Sequence, residues 1–302
     1  MRRARLKLED TPMFYHVYNR VAGEPGYLPF GPAEKEYFVR LLHELNIFFA
    51  VKVVAYQIMS NHFHLVIHAS EEIPKPEEVC KRYERYYQGK RKLDPSDPYC
   101  EILAARMRDI SWYMHDLQQR FSSWFNRTRP GRRRGVLWAD RFKHTLLGDS
   151  QAVWECVKYV EMNSTRAGMV ATPEDYRFCS HGAWAATGHH PFEENVREAL
   201  LPYLRGLYQF ESTEQLRKSL SETFARARGI PDESDGKTRR FVVQIDRRTR
   251  YWVDGLVIGS ELFVHEMILR SRGSLRPREF TKARTPDNQP LDLCCYKQLR
   301  EL

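Results

Sequence analysis

The order of β-prone and helix-prone segments in the first half of the chain restricts the fold more than any other feature. From the amino terminus, the segments are a strand over residues 12–20, a helix over 33–49, a hairpin of strands 51–59 and 62–68, a helix over 107–126, a strand over 136–147 and a helix from 150 to about 168. This β-α-β-β-α-β order predicts an α+β fold with a ferredoxin-like core, in which helices cover one face of an antiparallel sheet.

The last of these helices has the clearest pattern. Asp149 or Ser150 is a suitable N-cap at its start. Its apolar positions recur at helical spacing, at Val153, Cys156, Val157 and Val160. Tyr159 and Asn163 avoid that apolar side, so we expect both side chains to face a cleft.

Composition changes along the chain suggest how it is divided. We expect residues 1–185 to form one catalytic domain, with residues 70–106, which are rich in proline and contain a basic-aromatic run, as an insertion within it. Residues 186–302 are expected to form a separate, mainly helical module that could bind DNA. Within that module, residues 231–240 read as a charged linker, residues 241–245 and 251–257 are β-prone, and a last helix begins at Ser260.

The charge balance points to a polyanionic partner. The chain of 302 residues has a net charge of +9 at pH 7, and nucleic acid is the commonest partner of such a protein. We find neither an apolar membrane anchor nor a signal-peptide core after the basic start, so no membrane partner is expected. The six cysteines include no C-x-x-C pair, which argues against a zinc ribbon or a redox motif. Scattered thiols in a basic chain without a signal peptide favour a reducing, cytoplasmic location.

Two histidines at alternate positions form the most informative motif. His62 and His64 flank Phe63 on a predicted strand, where residues i and i+2 point to the same face about 6–7 Å apart. Two imidazoles at that spacing can bind one divalent ion, while Phe63 points into a core. The plainer alternative is a pair of exposed histidines on an edge strand. His68 has the same parity but lies roughly 13 Å beyond His64, too far for a shared ion.

A single tyrosine satisfies a simple helical rule. If one helix supplies both a nucleophile and a metal ligand, the two should lie four residues apart. Among the 16 tyrosines, only Tyr15 and Tyr159 have Asp, Glu, Asn or Gln at i+4, and Tyr15 belongs to a strand. The rule therefore selects Tyr159 with Asn163.

These residue types suit phosphodiester chemistry. Tyrosine, with a pKa near 10, is a poor nucleophile at rest, and a divalent cation on the phosphate would neutralise charge and orient the attack. A covalent phosphotyrosine would conserve the bond energy, so that a DNA 3′-OH could reverse the step. Two imidazoles and an amide suit Mn²⁺ or Mg²⁺, and no other small-molecule cofactor is expected.

Four segments of the chain resemble one family, the HUH single-tyrosine transposases of the REP-associated branch, which are insertion-sequence-200-like transposases. The segments are residues 13–20 (MFYHVYNR), 59–65 (MSNHFHL), 137–143 (LWADRFK) and 159–168 (YVEMNSTRAG). The family's usual N-P-V is Asn163-Ser164-Thr165 here, and the tail beyond residue 186 is longer than in minimal members.

The resemblance implies a specific chemistry. Its ferredoxin-like HUH fold would carry His62, His64 and Asn163 as ligands of a divalent metal ion, with Tyr159 as the nucleophile. The reaction would nick and rejoin single-stranded, hairpin-forming repeat DNA through a 5′-phosphotyrosine intermediate with a free 3′-OH. Family members often dimerise, and the tyrosine helix of one subunit can complete the site of the other.

Basic residues near the predicted strand 136–147 are candidates for contacting DNA phosphates. They are Arg127, Arg129, Arg132, Arg133, Arg134, Arg141 and Lys143, to which Arg166 is added from the tyrosine helix. Tyr83, Tyr86 and Tyr87 lie in a basic run and could stack on unpaired bases. The alternatives are a solvated charged loop and a helix that buries its tyrosines.

Two other functions remain open from the sequence. A DNA-hairpin-binding regulator derived from a transposase would keep the fold without cutting. A replication initiator or relaxase would share the histidine motif, but relaxases usually have three histidines there, and we find no P-loop of an attached helicase.

Overall fold

The computed structural model describes residues 11–228, 252, 255–270, 281–284 and 290–297. The described strands are β1 (Met13–Arg20), β2 (Lys52–Ile58), β3 (His62–Ala69), β4 (Lys143–Leu147), β5 (Gly255–Gly259), β6 (Thr281–Arg284) and β7 (Pro290–Lys297). The helices are α1 (Pro32–Phe48), α2 (Pro76–Tyr86), α3 (Tyr99–Arg108), α4 (Ile110–Thr128), α5 (Ser150–Glu161), α6 (Asn163–Arg166), α7 (Ser180–Thr187), α8 (Glu193–Asn195), α9 (Leu201–Tyr208), α10 (Thr213–Arg228) and α11 (Glu261–Arg270).

The sheet has the strand order expected of a ferredoxin-like core. Its seven strands are arranged β2-β3-β1-β4-β5-β7-β6, and the first four pair antiparallel. β1 lies at the centre of that core, with β3 on one side and β4 on the other. The predicted α+β class and ferredoxin-like core are confirmed.

Helices cover both faces of the sheet, whereas we expected them on one. α1 and α4 pack on the face that carries Val17, Phe63 and Leu65. α5, α9 and α10 pack on the opposite face, which carries Phe14, Val66 and Leu147. The physical reason lies in the alternation of β1 and β3, because both faces of these central strands are apolar and each needs a cover.

The helix predicted over 107–126 corresponds to α4, and only Met107 and Arg108 at its predicted start belong to α3. The Asp109 carboxylate accepts hydrogen bonds from the main-chain N–H groups of Ser111 and Trp112, and so it caps α4. An N-cap residue has extended rather than helical dihedral angles, and Asp109 has φ −87° and ψ 117°. The capping side chain therefore ends α3 at Arg108 and starts α4 at Ile110.

The strand predicted over 136–147 is confirmed only from Lys143 onward. The preceding residues are held by a few main-chain bonds, among them Ala22 N–H to the Leu137 carbonyl at 2.8 Å. Trp138 is buried against Phe30 and Phe121, at 6.0 and 5.8 Å between ring centroids. Because the Trp138 indole is buried there, the residues before Lys143 do not continue the regular strand pairing of β4.

The helix that carries Tyr159 also differs from its prediction. α5 ends at Glu161, Met162 follows with φ −81° and ψ −3°, and α6 is a separate turn of four residues. The Asn163 amide donates to the carbonyls of Tyr159 at 2.9 Å and Val160 at 3.3 Å. The bond to Tyr159 satisfies a main-chain acceptor in the last turn of α5, where carbonyls lose their intrahelical partners.

Residues 186–302 are not a separate module in the part of the chain that the structure describes. β5 pairs parallel with β4, and β7 and β6 continue the same sheet. The described residues of this region also include the α-helices α8–α11, and the helix predicted from Ser260 begins at Glu261. The charged linker and the β-prone piece at 241–245 lie outside the described residues.

The proline-rich residues 70–106 are folded rather than irregular. They contain α2 and most of α3, and Val79 and Leu103 are buried in the core formed with α1 and α4. Tyr83 and Tyr86 pack partly against the same core, so the helix does bury tyrosines, as the plainer alternative proposed. No helix in the described part of the chain is long and apolar enough to cross a membrane.

Candidate active site

The two histidines of the H-x-H motif lie together on β3, facing α5. The centroids of the His62 and His64 rings are 5.2 Å apart, with the ring planes at 90°. Phe63 between them is fully buried in the core of the opposite face. β3 lies between β2 and β1, so the alternative of exposed histidines on an edge strand is excluded, and His64 is only 3% exposed.

Tyr159 lies beside these imidazoles in the same chain. Its ring centroid is 5.8 Å from that of His64, and the two ring planes are at 85°. α5 packs across β2 and β3, which brings the phenol over the histidine strand. The side chain is buried, at 5% exposed, and it stacks on Trp252 at 5.7 Å. The buried Tyr159 ring therefore packs beside the imidazoles.

His16 is a third imidazole at the site, and sequence reasoning missed it. It lies on β1, fully buried, with its Nε2 2.9 Å from His64 Nδ1 and its Nδ1 2.8 Å from the Trp252 carbonyl. Its ring centroid is 5.7 Å from that of Tyr159. The available signal was a histidine in an otherwise apolar, central strand, but only the pairing of β1 with β3 places it beside His64.

Tyr18 and several cations surround the imidazoles. The half-buried Tyr18 ring stacks on His64 at 5.8 Å, and the Lys143 ammonium lies over Tyr18 at 5.8 Å. The Arg166 guanidinium lies over the Tyr159 ring at 5.0 Å. Arg20 pairs with His62 across β1 and β3 and is exposed. These positive groups favour a phosphate at this face.

Burial lowers the pKa of each imidazole in the site. It brings the pKa of His16 to about 4 and that of His62 to about 4, with the Arg20 charge adding to the effect on His62. The pKa of His64 is well below its usual value, first through burial and then through His16, His62 and Arg166. At neutral pH these rings are therefore uncharged, the form in which imidazole binds metal.

The hydrogen bonds of His62 leave one nitrogen for an ion. The Asn61 amide donates to the Tyr27 carbonyl at 3.2 Å, so its Oδ1 faces His62 Nδ1 at 2.7 Å and accepts from it. Nε2 of the neutral His62 ring then carries a lone pair. A metal-binding histidine usually has its other ring N–H fixed by an acceptor in this way.

The distance between the two rings fits a shared ion. A nitrogen–metal bond of about 2.1 Å places each ring centroid roughly 3.2 Å from the metal. The observed 5.2 Å between centroids is shorter than twice that distance, so one ion could contact both rings. In the described part of the chain no group of three or more His, Cys, Asp and Glu side chains is placed to hold one metal ion, so His62 and His64 are the two imidazoles considered for the site.

Asn163 has a different role in this structure from the one expected of it. Its amide nitrogen caps the end of α5, and its side chain is half-buried. Because Nδ2 faces the main chain, Oδ1 is the atom that could bind an ion. The asparagine thus holds the helix end that carries Tyr159, and its metal ligation stays a prediction.

The basic residues selected from the sequence divide into two groups. Arg129 pairs with Glu34 at 2.8 Å and lies over the Phe125 ring, while Arg133 donates to Asn126 and to the Val136 carbonyl. The side chains of Arg129 and Arg133 are thus engaged in contacts within the protein. The exposed group consists of Arg127, Arg132, Arg134, Arg141 and Lys143.

Glu161 anchors the end of the tyrosine helix to α7. Its carboxylate accepts from the Ser180 hydroxyl and, at 3.0 Å, from the His181 main-chain N–H. Burial raises the pKa of Glu161 to about 7, although these hydrogen bonds oppose the shift. A buried acid therefore connects α5 to its neighbour two residues beyond Tyr159.

We predict that Glu161 makes stability depend on pH. Because the folded pKa is raised, the folded chain binds this proton more tightly, and the stabilisation is lost as pH rises from about 4.5 through about 7. Glu161→Gln removes this dependence. The unfolding free energy of the wild type relative to that variant should fall by on the order of 3 kcal/mol over the range. Urea denaturation at several pH values measures it, and parallel profiles would refute the assignment.

Comparisons with known proteins add little beyond the fold. No protein-family model and no curated protein matches the sequence. A solved structure of a REP-associated tyrosine transposase bound to a REP hairpin is similar over 62% of this chain and 87% of that chain, with 12% identity and a TM-score of 0.41. At that similarity the neighbour's function does not transfer, so function has to be inferred from the site itself.

Proposed function

We propose that this protein is a metal-dependent, single-stranded DNA endonuclease and transposase that nicks and rejoins hairpin-forming repeat DNA through a 5′-phosphotyrosine. The observation that carries the proposal is the meeting of three rings in one chain. Tyr159 lies 5.8 Å from His64, which lies 5.2 Å from His62. The motifs that resemble HUH transposases support the same chemistry for these residues.

Tyr159 would act as the nucleophile. Its phenol oxygen forms a bond to phosphorus, and the bond from phosphorus to the 3′-oxygen breaks. The phenol loses its proton, and the departing 3′-oxygen gains one to become a 3′-OH. The product is a 5′-phosphotyrosine, and attack by a 3′-OH runs the same bond changes in reverse. The Arg166 guanidinium over the ring favours the phenolate that attacks.

His62 and His64 would hold the divalent ion, Mg²⁺ or Mn²⁺, through their Nε2 atoms, with Asn163 Oδ1 as the expected third ligand. When bound, the ion supplies positive charge next to the scissile phosphate. The burial that keeps both rings neutral leaves their lone pairs for this purpose. Open coordination positions would accept the phosphate oxygens.

The DNA would lie across the cationic face around the histidines. Arg20 acts on the charge of His62, Lys143 lies over the Tyr18 ring and Arg166 lies over the Tyr159 ring. The exposed arginines at 127, 132, 134 and 141 would extend that face toward the hairpin. Such contacts predict binding that weakens steeply with salt. The homodimer that the family resemblance implies is not required to complete the site, since one chain brings Tyr159 to His64.

The discriminating experiment uses single-stranded oligonucleotides with an imperfect hairpin. With Mn²⁺ we expect a nicked strand with a free 3′-OH and a protein–DNA species that survives denaturing electrophoresis. EDTA should remove both products, and a fully duplex oligonucleotide should give neither. Binding of the hairpin without any covalent species across a panel of such hairpins would overturn the enzymatic proposal.

That negative outcome describes the second candidate, a DNA-hairpin-binding regulator derived from a transposase. One observation favours it: among the described residues, no group of three or more His, Cys, Asp and Glu side chains is placed to hold a metal ion. A chain without a third ligand would hold an ion weakly. The nicking experiment separates the two functions.

A further inference from the structure

His16 lies in the first of the four family-like segments, residues 13–20, but the sequence assigned no role to its side chain. Its ring lies between the Trp252 main chain and His64, with both ring nitrogens at hydrogen-bond distance from a partner. It is fully buried in the central strand of the sheet. A buried histidine bonded on both nitrogens is a connector in a hydrogen-bonded chain, and the direction of that chain can be derived.

The direction is set at the Trp252 carbonyl. A carbonyl oxygen only accepts, so His16 Nδ1, at 2.8 Å, must carry a proton. The same carbonyl also accepts from the Thr145 hydroxyl at 3.3 Å. The two partners of His16 are a carbonyl and another imidazole, neither of which carries a negative charge to balance a buried imidazolium. His16 is therefore neutral, and its Nε2 is an acceptor.

The proton on His64 follows from this. Since His16 Nε2 accepts, His64 Nδ1 at 2.9 Å must be the donor. In the neutral ring, His64 Nε2 then has no proton. His62 reaches the same state through the separate chain from Tyr27 and Asn61. Two independent chains of hydrogen bonds, each beginning at a main-chain carbonyl, end on histidines with an unprotonated Nε2.

We propose that His16 is a positioning residue that holds His64 as the Nδ1-protonated tautomer, with its Nε2 lone pair available to a divalent cation. The proposal rests on the proposed metal site for its use, but the tautomer itself is a property of the metal-free chain. A histidine free to change tautomer would present a protonated Nε2 for part of the time and bind the ion less well.

A pair of amide substitutions tests the direction of the chain. His16→Gln places an amide oxygen where Nε2 was and keeps an acceptor for His64. His16→Asn places its amide near Nδ1, where it can still donate to the Trp252 carbonyl but cannot reach His64. Both variants replace the same buried ring with an amide, so each is the matched control of the other for stability.

The first readout is the imidazole ¹⁵N spectrum of the full chain without metal. We expect His64 in the wild type and in His16→Gln to have a protonated Nδ1 and an unprotonated Nε2, and His16→Asn to lose that preference. A wild-type spectrum with the proton on His64 Nε2 overturns the proposal, whether or not the protein binds metal or cuts DNA. The wild-type spectrum alone can give this result, so the test does not depend on whether either variant folds.

The second readout is the affinity for Mn²⁺ alone, measured by titration and electron paramagnetic resonance. His16→Asn should weaken binding by about 10–100-fold, the usual cost of losing a group that orients a ligand, and His16→Gln should stay close to the wild type. Equal affinities for the wild type and His16→Asn would refute the positioning role. Failure of the wild type to bind Mn²⁺ would refute the proposed metal site and leave the tautomer result standing.

Discussion

Tyr159→Phe is expected to abolish nicking of single-stranded hairpin DNA, whereas Tyr18→Phe is expected to retain it. Both rings lie 5.8 Å from His64, so proximity to the imidazoles does not distinguish them. Tyr159 is the one carried on α5 with Asn163 at its end and Arg166 over its ring. Removing the oxygen that forms the covalent bond should lower the rate by on the order of 10³-fold or more.

The comparison of the two variants is informative because both substitutions remove one hydroxyl beside the same histidine. Nicking is measured with an end-labelled hairpin in Mn²⁺, and thermal unfolding confirms that each variant is folded. Loss of nicking in Tyr18→Phe with retention in Tyr159→Phe would assign the nucleophile to β1 instead of α5. If both variants still nick the hairpin, neither Tyr159 nor Tyr18 is the nucleophile.

The second large effect is expected at the imidazole pair. His64→Ala should reduce Mn²⁺ affinity by more than 100-fold, since losing a ligand costs more than losing a group that orients one. Nicking should fall in parallel and should not be restored by the Mn²⁺ concentrations that saturate the wild type. His62→Ala should behave in the same way, because its Nε2 is the other nitrogen available to the ion.

His68→Ala is the matched control for these variants. His68 lies on the same strand with the same parity, but its ring packs against Phe14, with 4.7 Å between the ring centroids. Its replacement should leave Mn²⁺ affinity unchanged. If His68→Ala weakens binding as much as His64→Ala, the ion does not lie between His62 and His64.

Much of the core could be predicted from sequence because local patterns determine it. The parity of β3 placed His62 and His64 on one face and Phe63 on the other, and both positions follow from strand geometry. The apolar spacing of α5 placed Val153 and Val160 in the core, but the expectation that Tyr159 avoids that side was wrong, since Tyr159 is only 5% exposed and lies in the same core cluster. The side chains that were placed correctly are those whose direction is set by residues close to them in the sequence.

The parts that could not be predicted depend on contacts between distant residues. His16 joins the site only because β1 pairs with β3. Trp252, which accepts a hydrogen bond from His16, lies 236 residues away in the sequence. Likewise, the assignment of 186–302 as a separate module was wrong for the described residues, because β5 pairs with β4. No local pattern in either segment reports such a pairing.

The break after α5 also escaped sequence reasoning. Asn163 was selected as a ligand because it lies four residues from Tyr159, and that spacing equally suits an amide that bonds back to the Tyr159 carbonyl. The i+4 rule cannot distinguish these two uses of one side chain. Only the dihedral angles at Met162 reveal the end of the helix.

Mass spectrometry of the protease-digested protein after reaction with hairpin DNA and Mn²⁺ tests the central claim most directly. The account predicts one modified peptide, with the 5′-phosphate of the cleaved strand joined to the phenol oxygen of Tyr159. A nicked strand accompanied by a 5′-phosphate on a different side chain, or released with no peptide attached, would contradict it.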